Sequence, residues 1–410
     1  MTIPSTSVRT DHRVDGGQLA PISIRARNLG VALLAASHAV NDSYAFVLPA
    51  LLPVLLPGLG ISLGLAGVLV MIQQLTSSFV QPLLGHAADR AGGGRWMSWA
   101  GVLLCGLSAS LLGLVSGFPL LALLMFLNGL GTALWHPVSA GLVSQSAPPN
   151  RRGLWMSIYI SAGNFGLGLG PLMVGLVVSQ LGLGGTWVMA LPAIAFGALV
   201  WKFAPARPAS VRPVQDSLWT ILKRHRRILA GLISVVTMRS WAVTAFQTFL
   251  PLYAAGLGAN AQNAAQTLTV YLAAGAVGGL VGGSMADRLG RDRVIIGSML
   301  LSAPFSLALA FQTDVGPLFW ICAALSGFLL NGSFVVLTVR GQESVPGSVS
   351  MMSGMMLGLS IGLGALIVTP MAAIAERTGL APMIVFSAIL APIGAGLMFL
   401  VPKAPRQAVG

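Results

Sequence analysis

Apolar stretches of about 20 residues recur along the whole chain, separated by short polar loops, and that rhythm leaves few folds open. A stretch of this length is what an α-helix needs to cross the hydrocarbon core of a bilayer. Composition agrees. Of 410 residues, 55% are hydrophobic and 8% charged, with a mean hydropathy of +0.84. A soluble domain carries about 25% charged residues. The chain therefore reads as an all-α membrane protein with about a dozen spans and no room for a large soluble domain.

The predicted spans are 28–52, 62–84, 96–115, 118–143, 154–179 and 186–203, then 228–255, 264–285, 293–312, 315–339, 350–374 and 381–401. Residues 1–27 read as a polar tail, without the apolar run and cleavage site of a signal peptide. Residues 204–227 read as a basic linker at the lipid headgroups, with a possible short amphipathic helix over 217–224, and residues 402–410 as a second tail. The net charge of +13 invites a nucleic-acid partner, but 21 of the 23 Lys and Arg residues fall in the tails and alternate loops on one side. That is the positive-inside pattern, and it predicts cytoplasmic termini and an even number of spans instead of nucleic-acid binding. Cys105 and Cys322 have neither metal-ligand spacing nor the look of a disulfide framework.

The halves repeat each other. Gly85-x-x-x-Asp89-Arg90-x-Gly92 returns as Gly283-x-x-x-Asp287-Arg288-x-Gly290; Leu48-Pro49 returns as Leu250-Pro251, Pro148 as Pro346 and Pro171 as Pro370. The offsets are 198, 202, 198 and 199 residues, which predicts a duplicated six-helix unit with bundles at 28–203 and 228–401. Parallel six-helix repeats about an axis along the membrane normal, with cargo bound between them near the midplane, form the major facilitator architecture.

The doubled Gly-x-x-x-Asp-Arg-x-Gly loop resembles the signature of the major facilitator superfamily. A closer resemblance, to its fosmidomycin-resistance-type efflux branch, rests on Ser37-His38-Ala39-Val40-Asn41-Asp42-Ser43-Tyr44, Leu48-Pro49-Ala50-Leu51-Leu52-Pro53 and Gln81-Pro82-Leu83-Leu84-Gly85. Trp135-His136-Pro137, Gly163-Asn164-Phe165-Gly166, Arg239-Ser240-Trp241 and Phe249-Leu250-Pro251 continue it. The resemblance implies a carrier that exports a drug or metabolite in exchange for protons. The branch often has an acid after the His-Pro pair, where this chain has Val138, and its first signature loop reads Gly92-Gly93-Gly94-Arg95 with the basic residue displaced.

Of ten acidic residues, nine fall in predicted tails or loops, and Asp42 alone sits near the middle of a span. An ionisable residue at the bilayer centre costs about 2.5–3.5 kcal/mol on insertion scales, so a lone one marks function by default. His38 lies one helical turn earlier on the same face and can share or pass a proton with Asp42. Arg239 is the one basic residue well inside a predicted span and away from its ends, about one turn from Asp42 in depth. Three roles compete for it: counter-ion to Asp42, anchor for an anionic cargo, or partner of helix-end carbonyls. Polar stripes set out a candidate cargo path through Asn41, Gln73, Gln74, Gln81, His136, Asn164, Trp241, Gln247 and Asn331. Asp89, Arg90, Asp287 and Arg288 are candidate gate charges at the inner ends of their spans.

No nucleophile arrangement, metal-ligand cluster or phosphate loop is legible, so the sequence reads as a transporter and not an enzyme, with no cofactor. The expected partners are a small-molecule cargo, protons and the lipid of the plasma (inner) membrane, with the monomer as working unit. Organic-anion uptake with protons is the alternative direction.

Overall fold

The computed structural model describes residues 24–45, 47–51, 55, 63–91, 94–205, 214–259 and 261–403. Most of the first tail, Pro53, Gly92, Gly93, most of the linker and the last seven residues lie outside these. Among the described residues every regular element is helical. In chain order they are α1 (Ile24–Ser43), α2 (Leu63–Phe79), α3 (Gln81–Ala91), α4 (Arg95–Ser110), α5 (Phe118–Ser146), α6 (Arg152–Leu181), α7 (Ala190–Phe203) and α8 (Leu218–Arg224). They continue as α9 (Arg226–Gly256), α10 (Ala261–Leu289), α11 (Arg291–Ala310), α12 (Pro317–Ser344), α13 (Val349–Leu366), α14 (Val368–Thr378) and α15 (Ala381–Met398).

Among the described residues, eleven helical stretches are long and apolar enough to cross a membrane. The predicted third span is represented by α4, whose 16 residues end in a turn that runs to Leu114. Several helices run past their predicted ends, so Asp89, Asp287, Asp292, Glu343 and Glu376, expected in loops, lie in terminal helical turns. A helix continues into the headgroup zone because its polar residues meet water there without giving up backbone hydrogen bonds. The amphipathic helix of the linker is formed as α8. Ser217 Oγ accepts the Thr220 N–H at its start, Ile221 is buried against the bundle and Trp219 faces outward.

Packing follows the two halves of the sequence. The largest apolar core draws its buried members only from residues 221–401, whereas two others centre on α1, α4, α5 and α6. The seam between the halves is made by α13 against α2, α3 and α5, and by α10 against α6.

The first span is interrupted where the chemistry lies. Helix α1 stops at Ser43, a turn covers Tyr44 and Ala45, and helix resumes over 47–51. Pro49 has no N–H to give the Ala45 carbonyl, and Gln73 Nε2 donates to that oxygen at 3.3 Å instead. A backbone break inside a bilayer needs such a replacement partner. Asp42 thus sits on the last turn of α1, beside an opened stretch of backbone.

Candidate functional site

Asp42 is 8% exposed and lies between two imidazoles. His38 Nε2 is 3.1 Å from Asp42 Oδ2, and His136 Nε2, brought in by α5, is 3.1 Å from Asp42 Oδ1. The other nitrogen of each ring is held by backbone. His38 Nδ1 donates to the Tyr159 carbonyl at 2.7 Å and His136 Nδ1 to the Thr132 carbonyl at 3.2 Å. Asn41 Nδ2 donates to Asp42 Oδ1 at 3.1 Å. The Tyr159 ring stacks on His38 with centroids 4.0 Å apart, and its hydroxyl donates to Ser139 Oγ at 2.5 Å. Both imidazoles are therefore tethered at Nδ1, with Nε2 3.1 Å from one oxygen each of a single carboxylate. Such a cluster can take up and release protons without moving far.

Helix α6 comes this close because it carries no side chain at the crossing. A Cβ on Gly163 would lie 2.5 Å from His38 Cε1 and 2.7 Å from Asp42 Oδ2. Below it, a Cβ on Gly166 or Gly170 would meet the Ala39 or Ser43 carbonyl oxygen at 2.0 or 2.1 Å. Gly168 and Gly175 of the same helix face open space, so only part of the glycine pattern serves packing. Val138 is buried against Ala88 and Met97, away from the triad.

Arg239 does not pair with Asp42. It is 4% exposed and points to α12, where Nε donates to the Leu330 carbonyl at 3.3 Å and Nη2 to Asn331 Oδ1 at 3.1 Å. The guanidinium lies over the Phe334 ring, 4.5 Å from its centroid. None of the ion pairs among the described residues involves Arg239. Of its three expected roles the counter-ion is excluded by geometry: His38 and His136 already occupy the carboxylate. The remaining pair, helix-carbonyl partner and anion anchor, are compatible, because the guanidinium keeps Nη1 uncommitted in the hydrogen bonds above.

The other expected cargo-path residues scatter. Gln73 also donates to Asn128 Oδ1 at 2.9 Å, Trp241 Nε1 donates to the Leu363 carbonyl at 2.9 Å, and Asn331 Nδ2 donates to the Gly327 carbonyl at 3.0 Å. Gln81 is buried where α3 crosses α13, Gln74 and Gln247 are half-buried, and Asn164 is exposed. Cys105, not singled out from sequence, touches the Asn41 carbonyl at 3.6 Å and Thr132 Oγ1 at 3.5 Å.

At the end of the bundle that carries the signature loops, the halves are locked together. Asp89 accepts the N–H groups of Ser350 and Met351 at 3.1 and 2.8 Å, at the first turn of α13. Its repeat, Asp287, accepts those of Gly153 and Leu154 at 3.0 and 3.2 Å, at the first turn of α6. A helix N-terminus presents unpaired N–H groups and a partial positive charge, so each carboxylate caps a helix of the opposite half. Of the four candidate gate charges, the two aspartates make these contacts across the seam. Arg90 and Arg288 are exposed, while Arg291 binds Asp287 at 2.6 Å and Glu343 at 3.4 Å, and Arg152 reaches Glu343 at 3.4 Å. Of these ion pairs only Arg152–Glu343 crosses the seam; Arg291 meets Asp287 and Glu343 within the second half. Gly85 and Gly283 permit the contact: a Cβ there would fall 2.4 Å from the Ser350 carbonyl oxygen and 2.6 Å from that of Gly153. Gly290, in the second loop, holds φ at 93°, a conformation that glycine adopts without strain. Two turns beyond the seam on α6, Phe165 is 66% exposed.

Comparison with known proteins agrees with this picture. The family model described as Major Facilitator Superfamily matches residues 32–365. The uncharacterised MFS-type transporter YfnC of Bacillus subtilis (strain 168) is 32% identical over 384 residues, covering 89% of this chain and 91% of that one. The fosmidomycin resistance protein of Escherichia coli (strain K12) is 30% identical over 381 residues, covering 89% and 90%. Among solved structures, the E. coli major facilitator transporter FucP in the outward conformation matches with a TM-score of 0.77 at 15% identity, over 93% of this chain and 100% of that one. An identity that low shows the fold alone. Helical architecture, a match across most of the chain and relatives at about one third identity converge: the chain belongs to the Major Facilitator Superfamily of membrane transporters and is not an enzyme.

Proposed function

We propose that this protein is a proton-coupled antiporter of the plasma (inner) membrane that exports a small drug or metabolite bearing an anionic group. Twelve spans in two six-helix bundles, 28–203 and 228–401, place both termini and the basic linker in the cytoplasm, and the monomer is the working unit. The observation that carries the reading is the seat of Asp42 between the imidazoles of His38 and His136, in the middle of the first span. Chains of Asp and His inside a membrane are the groups of proton relays, so a buried carboxylate between two imidazoles suits reversible proton loading. Its relative named for fosmidomycin resistance supports export as the direction.

In this cycle, Asp89 and Asp287 hold the cytoplasmic end shut while the triad loads protons from outside. Breaking the two helix caps opens the inner face, protons leave, and cargo enters with its anionic group on Arg239. The buried guanidinium, aimed by Asn331 and Phe334, gives that group a preformed partner. Coupling follows if the loaded and unloaded triads favour opposite orientations of the halves.

The test is accumulation of antibiotics and anionic metabolites, phosphonates included, in pump-depleted cells expressing wild type or Asp42→Asn, with and without a protonophore. Export predicts lower accumulation of some compound with wild type, abolished by the substitution and by the protonophore. Equal export by Asp42→Asn would remove the triad from the mechanism. Higher accumulation with wild type would make the protein an uptake symporter.

A further inference from the structure

The hydrogen-bond inventory of the triad goes a step further than naming it as the proton site. We propose that the protons ride on the two imidazoles, two per loaded triad, while Asp42 remains a carboxylate and serves as their fixed counter-charge. This rests on the reading of the triad as the coupling site, and it says which atoms carry the protons and how many there are.

The Nδ1 atoms settle the first half of the count. Each lies against a backbone carbonyl oxygen, Tyr159 at 2.7 Å and Thr132 at 3.2 Å. A carbonyl oxygen only accepts, so both Nδ1 atoms keep their hydrogen whatever the state of the cycle. The exchangeable protons are confined to the two Nε2···Oδ contacts, each 3.1 Å long and each to a different oxygen of Asp42. With two protons, each ring is a cation beside the carboxylate. With one, a bare Nε2 lone pair faces a carboxyl oxygen at 3.1 Å, and with none, both do. Lone pairs held that close repel, so two ion-pair contacts of 3.1 Å fit the two-proton state.

The second half concerns where those protons sit. In water imidazole is the stronger base, with a reference pKa of about 6.5 against about 3.9 for Asp. Asp42 Oδ1 also accepts the Asn41 amide at 3.1 Å, a hydrogen bond made to the carboxylate. With both rings charged, each oxygen of the carboxylate has one imidazolium 3.1 Å away. The packed elements bring no competing charge. Helix α6 contributes Tyr159, whose hydroxyl is spent on Ser139; α5 contributes His136 itself; α4 contributes the Cys105 thiol on the Asn41 carbonyl. The one Lys of α7, Lys202, is exposed near the end of that helix.

On the inward side each Nε2–H proton passes to cytoplasmic water, leaving a neutral imidazole that keeps its Nδ1–H. The carboxylate then faces two lone pairs, and the contact between α1 and α5 loosens. Loss of both protons thereby becomes a mechanical event at the first-span break, next to the turn at Tyr44 and Ala45.

The experiment needs no cargo. Purified full-length protein in lipid nanodiscs is taken through a pH jump from 8 to 5, about 1.5 pH units to either side of the reference imidazole value. Protons bound per molecule are counted with a dye, and the carboxylic acid carbonyl band is followed by infrared difference spectroscopy. Wild type should bind two more protons than the double variant His38→Gln/His136→Gln and one more than either single variant. No carboxylic band that disappears in Asp42→Asn should rise in wild type. A difference of one proton, or an Asp42-dependent carboxylic band, overturns the proposal while leaving the triad as coupling site. A difference of zero overturns both. Variants are compared only where size-exclusion profiles match wild type, and the infrared arm, on wild type and Asp42→Asn alone, decides the address of the protons if a histidine variant does not fold.

Discussion

Replacing Asp89 by Asn tests whether the helix caps set the balance between the two orientations of the carrier. The carboxylate accepts two backbone N–H groups of α13, at 3.1 and 2.8 Å. An Asn carboxamide is nearly isosteric but offers one oxygen, so one of the two N–H groups faces an NH2 donor. A hydrogen bond to a charged group contributes about 1.5–3 kcal/mol, and a buried donor left unmatched costs about 1–3 kcal/mol. Loss of the negative charge at the helix start removes about another 0.3–1 kcal/mol. Relaxation recovers part of this, so about 3 kcal/mol is a fair central value. It acts only on the state in which the basic end is closed. At about 1.4 kcal/mol per tenfold, the ratio of closed to open should fall roughly a hundredfold. Double electron–electron resonance reads this directly, with spin labels at the exposed positions Ala91 and Arg293 on the two halves and the buried Cys105 and Cys322 replaced by Ser. The expected result is a longer inter-label distance that dominates in Asp89→Asn and is minor in the parent. An unchanged distance distribution would refute the claim that these caps hold the halves together. Asp287→Asn should shift it at least as far, because the Arg291 guanidinium beside that position only donates and cannot replace the carboxylate as acceptor.

Three further outcomes follow from packing and charge. Gly163→Ala should lower the melting temperature and abolish transport, since its methyl would fall 2.5 Å from His38 Cε1 and overpacking costs about 1–3 kcal/mol; unimpaired transport would show that α6 can yield. Arg239→Lys should weaken binding of the exported anion about 5- to 30-fold, because an ammonium cannot hold Leu330, Asn331 and the face of Phe334 together. A direct binding titration checks it, and equal affinity would assign Arg239 a purely structural part. Arg340→Ala should destabilise the protein by about 3 kcal/mol in thermal unfolding, as Arg340 is 2% exposed and ties Asp292 (2.7 Å), Ser344 (2.5 Å) and the Pro402 carbonyl (2.7 Å) into one knot.

Much of the molecule was legible from the chain alone. A span announces itself because lipid demands about 20 apolar residues whatever surrounds them. The duplication was visible because the signature loop recurs 198 residues later. Asp42 stood out because a carboxylate in an apolar run has a cost that must be met, and its partner His38 was legible because both lie on one helix with a fixed repeat.

What sequence left open was everything that depends on contact between helices. His136 is 94 positions from Asp42 in the chain, and only the crossing of α5 with α1 makes it the second imidazole of the triad. Arg239 and Asp42 matched in depth, yet depth says nothing of azimuth: α9 turns the guanidinium toward α12 instead. The signature aspartates read as gate charges, and the fold adds to them the N–H groups of helix starts in the opposite half, which no composition reveals. Local periodicity is written in neighbouring residues, so the chain carries it alone. Which faces meet is decided by close packing at points such as Gly163 and Gly283, where the absence of a side chain lets two helices touch.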